Sequence, residues 1–374
     1  MDAARTMAGG DARIASLDQF RGYTVFGMVL VNFVGAFSAT PAIFKHHNTY
    51  LSYADTIMPQ FFFAVGFAYR LVYLRRARAM DPAALRLRFV RRSLGLIAVG
   101  ALLYGVPGVL EGLSASPRPS AGEIALRVLR TDIFQALVHI ALTSLWILPV
   151  IGSGAAARAA FAAASAGLGL LLSQAFYYDW VMTAPGIDGG PLGFLTWTVP
   201  TLAGSFAYDA VAAGDRRKAA RRILALGLAL MAAGYALNCL YLAVPPNRSG
   251  GGGLAALLAE PPFVPPSRPV NYWNMNQQAG SISYLVFGAG LSAALYALFV
   301  WACDLWGFRA GVFRTFGTNA LAAYTLHMIL DWAMKPFLPA GSPPATIAAA
   351  FAAFFALTYF GVRALEARGI YWRM

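Results

Sequence analysis

"TIMPQFFFAVGFAYRLVYLRRAR", residues 56–78, decides the fold class. The run is almost wholly apolar and aromatic until Arg70, and it closes on Arg75, Arg76 and Arg78. Twenty such residues wound as a helix rise about 30 Å, the thickness of the hydrocarbon core of a bilayer. Similar runs recur along the 374 residues, which are 59% hydrophobic and 12% charged, with a mean hydropathy of +0.58. A soluble domain of this length cannot hide so much apolar surface. Inside a bilayer the backbone must satisfy its own hydrogen bonds, which leaves helices or a closed barrel. Barrel strands alternate polar and apolar residues with period two. These runs are apolar all round and rich in Ala, Leu and Gly. The expected fold is all-α: one polytopic membrane domain spanning residues 1–374.

The pattern predicts about ten transmembrane helices, near 20–38, 56–75, 93–112, 132–151, 156–176, 192–211, 220–244, 280–302, 314–335 and 345–365. Basic residues orient them. The connection after the second run carries Arg70, Arg75, Arg76, Arg78, Arg86, Arg88, Arg91 and Arg92 against a lone Asp81, which marks the cytoplasmic side. Counting onward puts Arg158, the Arg216–Lys218 and Arg221–Arg222 cluster, Arg309 with Arg314, and Arg363, Arg368 and Arg373 on that same side. Asp179 and Asp188 fall opposite, so both termini are expected in the cytoplasm. The net charge of +13 is therefore read as topology, and nucleic acid is not an expected partner. Cys239 and Cys303 support neither a disulfide framework nor a metal site. The first run, with Ala36-Phe37-Ser38 as a weak cleavage signal, is read as a retained span, because Asp18 and Arg21 precede it. Ser16 and Gln19 form a capping-box pattern at its start, and Asp18 and Arg21 share a helical face.

Polar groups are scarce enough to single out. The outer connection "FKHHNTYLSYAD", residues 44–55, holds His46, His47, Asn48, Tyr50 and Asp55. Imidazole takes and returns a proton near neutral pH, and a carboxylate orients it and stabilises its charged form. An interfacial Tyr/His loop is the plainer alternative. Adjacent histidines also suggest a metal, but no third ligand stands at a matching spacing, so none is expected. Asn32 lies late in the first span. His327 shares a face with Tyr324, with Asn319 nearby, and His139 stands alone in its span. Each of these polar residues also fits a role in pairing helices.

"RIASLDQFRGYTVFGMVLVNFVG", "FKHHNTYLSYADTIMP" and four later stretches together resemble the heparan-α-glucosaminide N-acetyltransferase family and its bacterial relatives. "RIASLDQFRGYTVFGMVLVNFVG" matches an S-L-D-x-F-R-G entry to a first span that ends in V-N, and "FKHHNTYLSYADTIMP" matches a histidine loop followed by A-D-x-x-M-P. "DIFQALVHIAL", "PLGFLTWTVPTLAGSFAYD" and "FGTNALAAYTLH" follow in family order, and "GIYWRM" closes the chain. The resemblance implies transfer of an acetyl group from cytoplasmic acetyl-CoA to an amino sugar on the far side of the membrane. It implies His46, in "FKH", as the essential histidine, with His47 as the other choice, and it carries over Asn32 and Asp55. The family's W-N-G reads Asn48-Thr49-Tyr50 here, and the arginine of its Q-R-I segment is Ala136, beside Gln135.

The expected site follows from that resemblance. His46 acts as base or transient acyl acceptor and Asp55 positions it. Asn32, with Asn319 and His327, donates to the thioester oxygen. Arg21, Arg91, Arg92 and Gln135 bind the acetyl-CoA co-substrate. Asn48, Tyr50, Trp273, Asn276, His327 and Asn319 receive the amino sugar or glycan, beneath a lid formed by residues 245–279. The donor arrives from the cytoplasm, so the His46 loop should fold inward over a cavity between the first, second and ninth spans. The expected location is a bacterial cytoplasmic membrane, with a homodimer as the expected assembly. O-acylation of a surface polysaccharide and solute transport without acyl transfer are the alternatives.

Overall fold

The computed structural model describes residues 14–183, 188–247 and 258–372; the glycine run 250–253 and Arg373 lie outside them. The described residues form twelve helices and no strand. We number these α1 (Ala15–Val34), α2 (Tyr53–Ala77), α3 (Pro82–Ser114), α4 (Ala121–Arg127), α5 (Ala136–Ile147), α6 (Ala155–Met182), α7 (Phe194–Ala212), α8 (Arg216–Leu242), α9 (Ile282–Leu305), α10 (Gly311–Thr318), α11 (Ala320–Met334) and α12 (Pro344–Ala367). Six of them, α2, α3, α6, α8, α9 and α12, are long and apolar enough to cross a bilayer, which makes the chain an integral membrane protein. A helix occupies each of the ten expected segments. Two segments differ in detail. The one at 132–151 holds only the twelve-residue α5, and the one at 314–335 breaks at Asn319 into α10 and α11. The short α4 was not expected.

Close helix contact in hydrocarbon depends on small residues, because lipid offers no hydrophobic drive to pair helices. Two crossings show this. A Cβ on Gly66 of α2 would sit 1.7 Å from the Thr201 carbonyl oxygen of α7, and one on Gly204 of α7 would sit 1.9 Å from that of Phe63. Likewise a Cβ on Gly22 of α1 would sit 1.7 Å from the Phe313 carbonyl oxygen of α10, and one on Gly317 of α10 would sit 1.8 Å from that of Asp18. Aromatic rings fill the space beside these seams. Phe62 stacks on Trp197 with centroids 4.4 Å apart, and Phe20 meets Phe63 and Tyr296 edge-on.

Several polar residues turn out to serve the packing. Ser16 and Gln19 do not form a capping box at the start of α1. Ser16 instead donates from its backbone N and its Oγ to Asp304 of α9, at 3.1 and 2.7 Å. Gln19 exchanges hydrogen bonds with the backbone of Ala310, just before α10. The cap on α1 is thus tertiary. Arg70 and Arg158, read above as topology marks, converge on Asp209 of α7. Arg70 Nε lies 3.1 Å from Asp209 Oδ1, and the fully buried Arg158 also reaches Ser205. Burying a guanidinium is tolerable only with such partners, and removing one costs about 3–5 kcal/mol.

Substituting Gly66→Val should force α2 and α7 apart and lower the thermal midpoint of the purified protein. Gly167→Ala, where an added Cβ meets nothing within 4 Å, should leave it unchanged or raise it slightly. Fluorescence-detected melting in detergent measures both.

Candidate active site

The first turn of α2 builds the site. Ser52 caps the helix by accepting from Asp55 N at 3.2 Å, and Asp55 Oδ2 answers by accepting from Ser52 N and Oγ at 2.9 and 3.0 Å. This reciprocal box fixes a buried carboxylate at the helix start. Its other oxygen, Oδ1, lies 2.9 Å from His46 Nδ1. Tyr284 of α9 pins the same turn by donating to the Asp55 carbonyl at 2.7 Å. His46 Nδ1 also faces Gln277 Oε1 at 3.1 Å, in the segment leading to α9. Both neighbours are acceptors, so Nδ1 carries the proton and Nε2 is the basic nitrogen. Gln277 in turn donates from Nε2 to Asp188 Oδ1 at 2.9 Å. Asp188 is itself held by backbone contacts, with its carbonyl accepting from Trp197 Nε1 at 2.7 Å. Its φ of +71° is one that Asp tolerates better than most side chains.

A cavity of about 680 Å³ opens from this cluster. His46, Asp188, Gln277 and Asn32 line one part of it, and Arg21, Arg76, Arg88 and Arg92 line another. The two parts are far apart. Along α2 alone the lining runs from Ala54 to Arg76, roughly 33 Å of helix rise. Between them the wall is apolar, with Ile57, Phe61, Val65 and Ala68 of α2 at helical spacing. Helices α1 and α2 run in opposite directions. Arg21, early in α1, therefore shares the basic end with Arg76, and Asn32, late in α1, shares the His46 end.

The expected site residues separate clearly by position. His46, Asn32, Arg21, Arg92 and Gln135 line the cavity, with Asp55 directly behind His46. His47 turns away: its backbone N approaches Asp55 at 3.3 Å, while its ring donates to the Ala42 carbonyl and stacks on Tyr50. Gln135 stands just before α5, with its Nε2 donating to the Asp132 carbonyl at 3.3 Å. Arg91 is exposed and outside the lining. His327 stands behind Asn32, with its Nε2 3.3 Å from Asn32 Nδ2, and so supports the asparagine instead of facing the cavity.

Asn319 lies at the break between α10 and α11 and holds the chain's end, donating to the Ile370 carbonyl and accepting from Trp372 N, both at 3.0 Å. Its neighbours Thr318 and Trp372 border the cavity on the Arg21 side of the α1–α10 seam, away from His46. Three of the expected acceptor residues, Asn48, Trp273 and Asn276, make contacts among the loops. Asn48 donates to Gln278 at 2.8 Å, and Asn276 is buried in a turn that accepts from Ala279 N. Trp273 packs beside Tyr241 and Leu242. The described part of the 245–279 segment closes on the His46 loop through Leu51 N to the Pro262 carbonyl, at 2.8 Å. Residues 248–257 of that segment lie outside the described residues. Asp188, Gln277, Arg76 and Arg88 were not singled out as site residues. Gln277 ends the "NYWNMNQ" patch, and Asp188 precedes a Gly-Gly turn, so both carried a local signal that lacked a partner in sequence.

Electrostatics favours the protonated form of the His46 ring. Burial alone would lower the pKa of the His46 imidazole, but the hydrogen bond to Asp55 and the charges of Asp55 and Asp188 outweigh it. The net result is a pKa above the ordinary 6.5. Burial pushes the Asp188 carboxyl up to about 6, against the pull of Gln277 and His46. No group of three or more His, Cys, Asp or Glu side chains is placed to hold a metal among the described residues. No protein-family model matches the chain, and no curated protein matches it.

Replacing Asp55 with Asn should lower the His46 pKa, since the hydrogen-bonded carboxylate is what raises it. The stabilisation from this pair is complete below the unfolded pKa and is lost as pH rises through the raised folded value. An NMR titration of selectively labelled histidine in detergent would report the shift, and an unchanged His46 midpoint in Asp55→Asn would contradict the geometry.

Proposed function

We propose that the chain is a membrane-embedded acyltransferase that carries an acetyl group from acetyl-CoA at the basic end of the cavity to an amino sugar or glycan at the His46 end. The observation that supports this reading is the cavity itself, with four arginines at one end and an oriented imidazole roughly one helix length away. Guanidinium forks suit the pyrophosphate and 3′-phosphate of CoA. An apolar passage suits the uncharged arm that ends in the thioester. In the resulting topology the helices cross the membrane about ten times, with both termini and the arginines in the cytoplasm. The location is a bacterial cytoplasmic membrane.

In this mechanism His46 Nε2 removes a proton from the attacking amine or hydroxyl as the acceptor adds to the thioester carbonyl. Asp55 and Gln277 hold Nδ1–H, so the proton-accepting nitrogen faces the cavity. Asn32 offers a second N–H beside the one directed at His327, placed to stabilise the oxyanion. Collapse of the intermediate breaks the C–S bond, and the proton on His46 passes to the leaving sulfur.

Purified protein in lipid nanodiscs should transfer label from radiolabelled acetyl-CoA to one of a panel of amino sugars and glycans. His46→Ala should cut the rate by about 10²–10⁴-fold, and His47→Ala should keep most of it. Arg76→Ala with Arg92→Ala should raise the donor KM with little change in kcat. Transfer that survives loss of His46 would end this reading. Uptake of an intact solute without CoA turnover would replace it with transport, and label found only on hydroxyls would make the enzyme an O-acyltransferase.

A further inference from the structure

Asp188 stands out among the groups around the cavity. It is 2% exposed, lies on the cavity wall at the His46 end, and uses only Oδ1 in its hydrogen bond to Gln277. Among the described residues its Oδ2 has no hydrogen bond, so this oxygen is left for a ligand in the cavity. The groups around Asp188 are His46 from the loop, Asp55 from α2, Tyr104 from α3, Tyr284 from α9 and Tyr324 from α11. His139 of α5 approaches from behind Gly193. Only His46 among them carries a compensating positive charge, and it is already paired with Asp55. A buried carboxylate with one open oxygen and no cation of its own calls for a cationic ligand.

Proton accounting gives that carboxylate a task. Acylation of an alcohol frees one proton, and the departing thiolate takes it. Acylation of an ammonium forms one C–N bond, breaks one C–S bond and frees two protons, of which the thiolate takes one. A site with a single base is then one acceptor short. We infer that Asp188 is the acceptor-binding residue: its Oδ2 pairs with the ammonium of an amine acceptor and takes that first proton, leaving His46 Nε2 to take the second during attack. The proton on Asp188 is afterwards released to water on the acceptor side, and the proton on His46 goes to the CoA sulfur. This inference rests on the acyltransferase reading and adds a binding residue to it.

The test uses the full chain in nanodiscs with acetyl-CoA and glucosamine as the probe acceptor. Asp188→Asn keeps a side chain that tolerates the positive φ and still accepts from Gln277, and acetyl-CoA affinity measured by calorimetry shows that the variant is folded. Its KM for glucosamine should rise by on the order of 10- to 100-fold, with a smaller effect on any hydroxyl acceptor. The acid limb of log(kcat/KM) should have a slope of two in the unaltered chain, where His46 and Asp188 must both be deprotonated, and a slope of one in Asp188→Asn. An unchanged KM and slope in Asp188→Asn, with glucosamine acetylated by the unaltered chain, would overturn the role of Asp188 alone. Transfer to hydroxyls but never to glucosamine would overturn it while leaving acyl transfer standing. No transfer to any acceptor would remove both.

Discussion

The carboxylate of Asp55 serves two structures at once, and the site depends on that economy. One oxygen closes the capping box that starts α2; the other fixes the ring of His46. A charged group this deeply buried needs several donors to offset its desolvation, and it collects them from Ser52, His46 and the backbone of His47. Because the same residue begins the helix and orients the imidazole, the position of His46 is tied to the axis of α2. That helix also forms the cavity wall as far as Arg76. His46 and the basic end are therefore held at a fixed separation by one helix.

The loops around the site follow from satisfying buried polar groups. The connections after α1, α6 and α8 bury polar groups that must be paired, so they hydrogen-bond to one another. Gln277 and Gln278 are the junction: one links His46 to Asp188, and the other links Asn48 to the Gly189 and Val181 backbone. Amides suit this task because each side chain both donates and accepts. This explains why Asn48, Asn276 and Trp273, which have the composition of a sugar-binding patch, are consumed in holding the loops. The arginines divide on the same logic. Arg70 and Arg158 lie where the α2, α6 and α7 seams close and pair with Asp209, and Arg76, Arg88 and Arg92 line the cavity.

Much of the architecture was legible because the bilayer imposes a one-dimensional rule. Length and hydropathy locate a helix, and no long-range partner is needed to do so. Helix existence therefore came through at all ten expected segments. The exceptions have local causes. The segment at 314–335 breaks at Asn319 because that side chain binds the returning C-terminal strand of residues, a contact 51 to 53 positions away. Ser16 and Gln19 looked like a capping pair, but Asp304 and Ala310 lie some 290 residues further along the chain and compete for the same groups.

The His46–Asp55 contact was readable for a related reason: it spans nine residues and is local to one loop and one helix start. The sequence alone determined that this is an all-α membrane protein, that its polar chemistry gathers after the first helix, and that arginines accumulate at one set of helix ends. Only the tertiary structure shows that the ring of His46, and not that of His47, points at Asp55. It also brought Gln277 and Asp188, 231 and 142 residues from His46, into the site and sent His327 behind Asn32. Side-chain direction and partners distant in sequence leave no periodic trace in the chain; they arise from how the helices and their connections pack together.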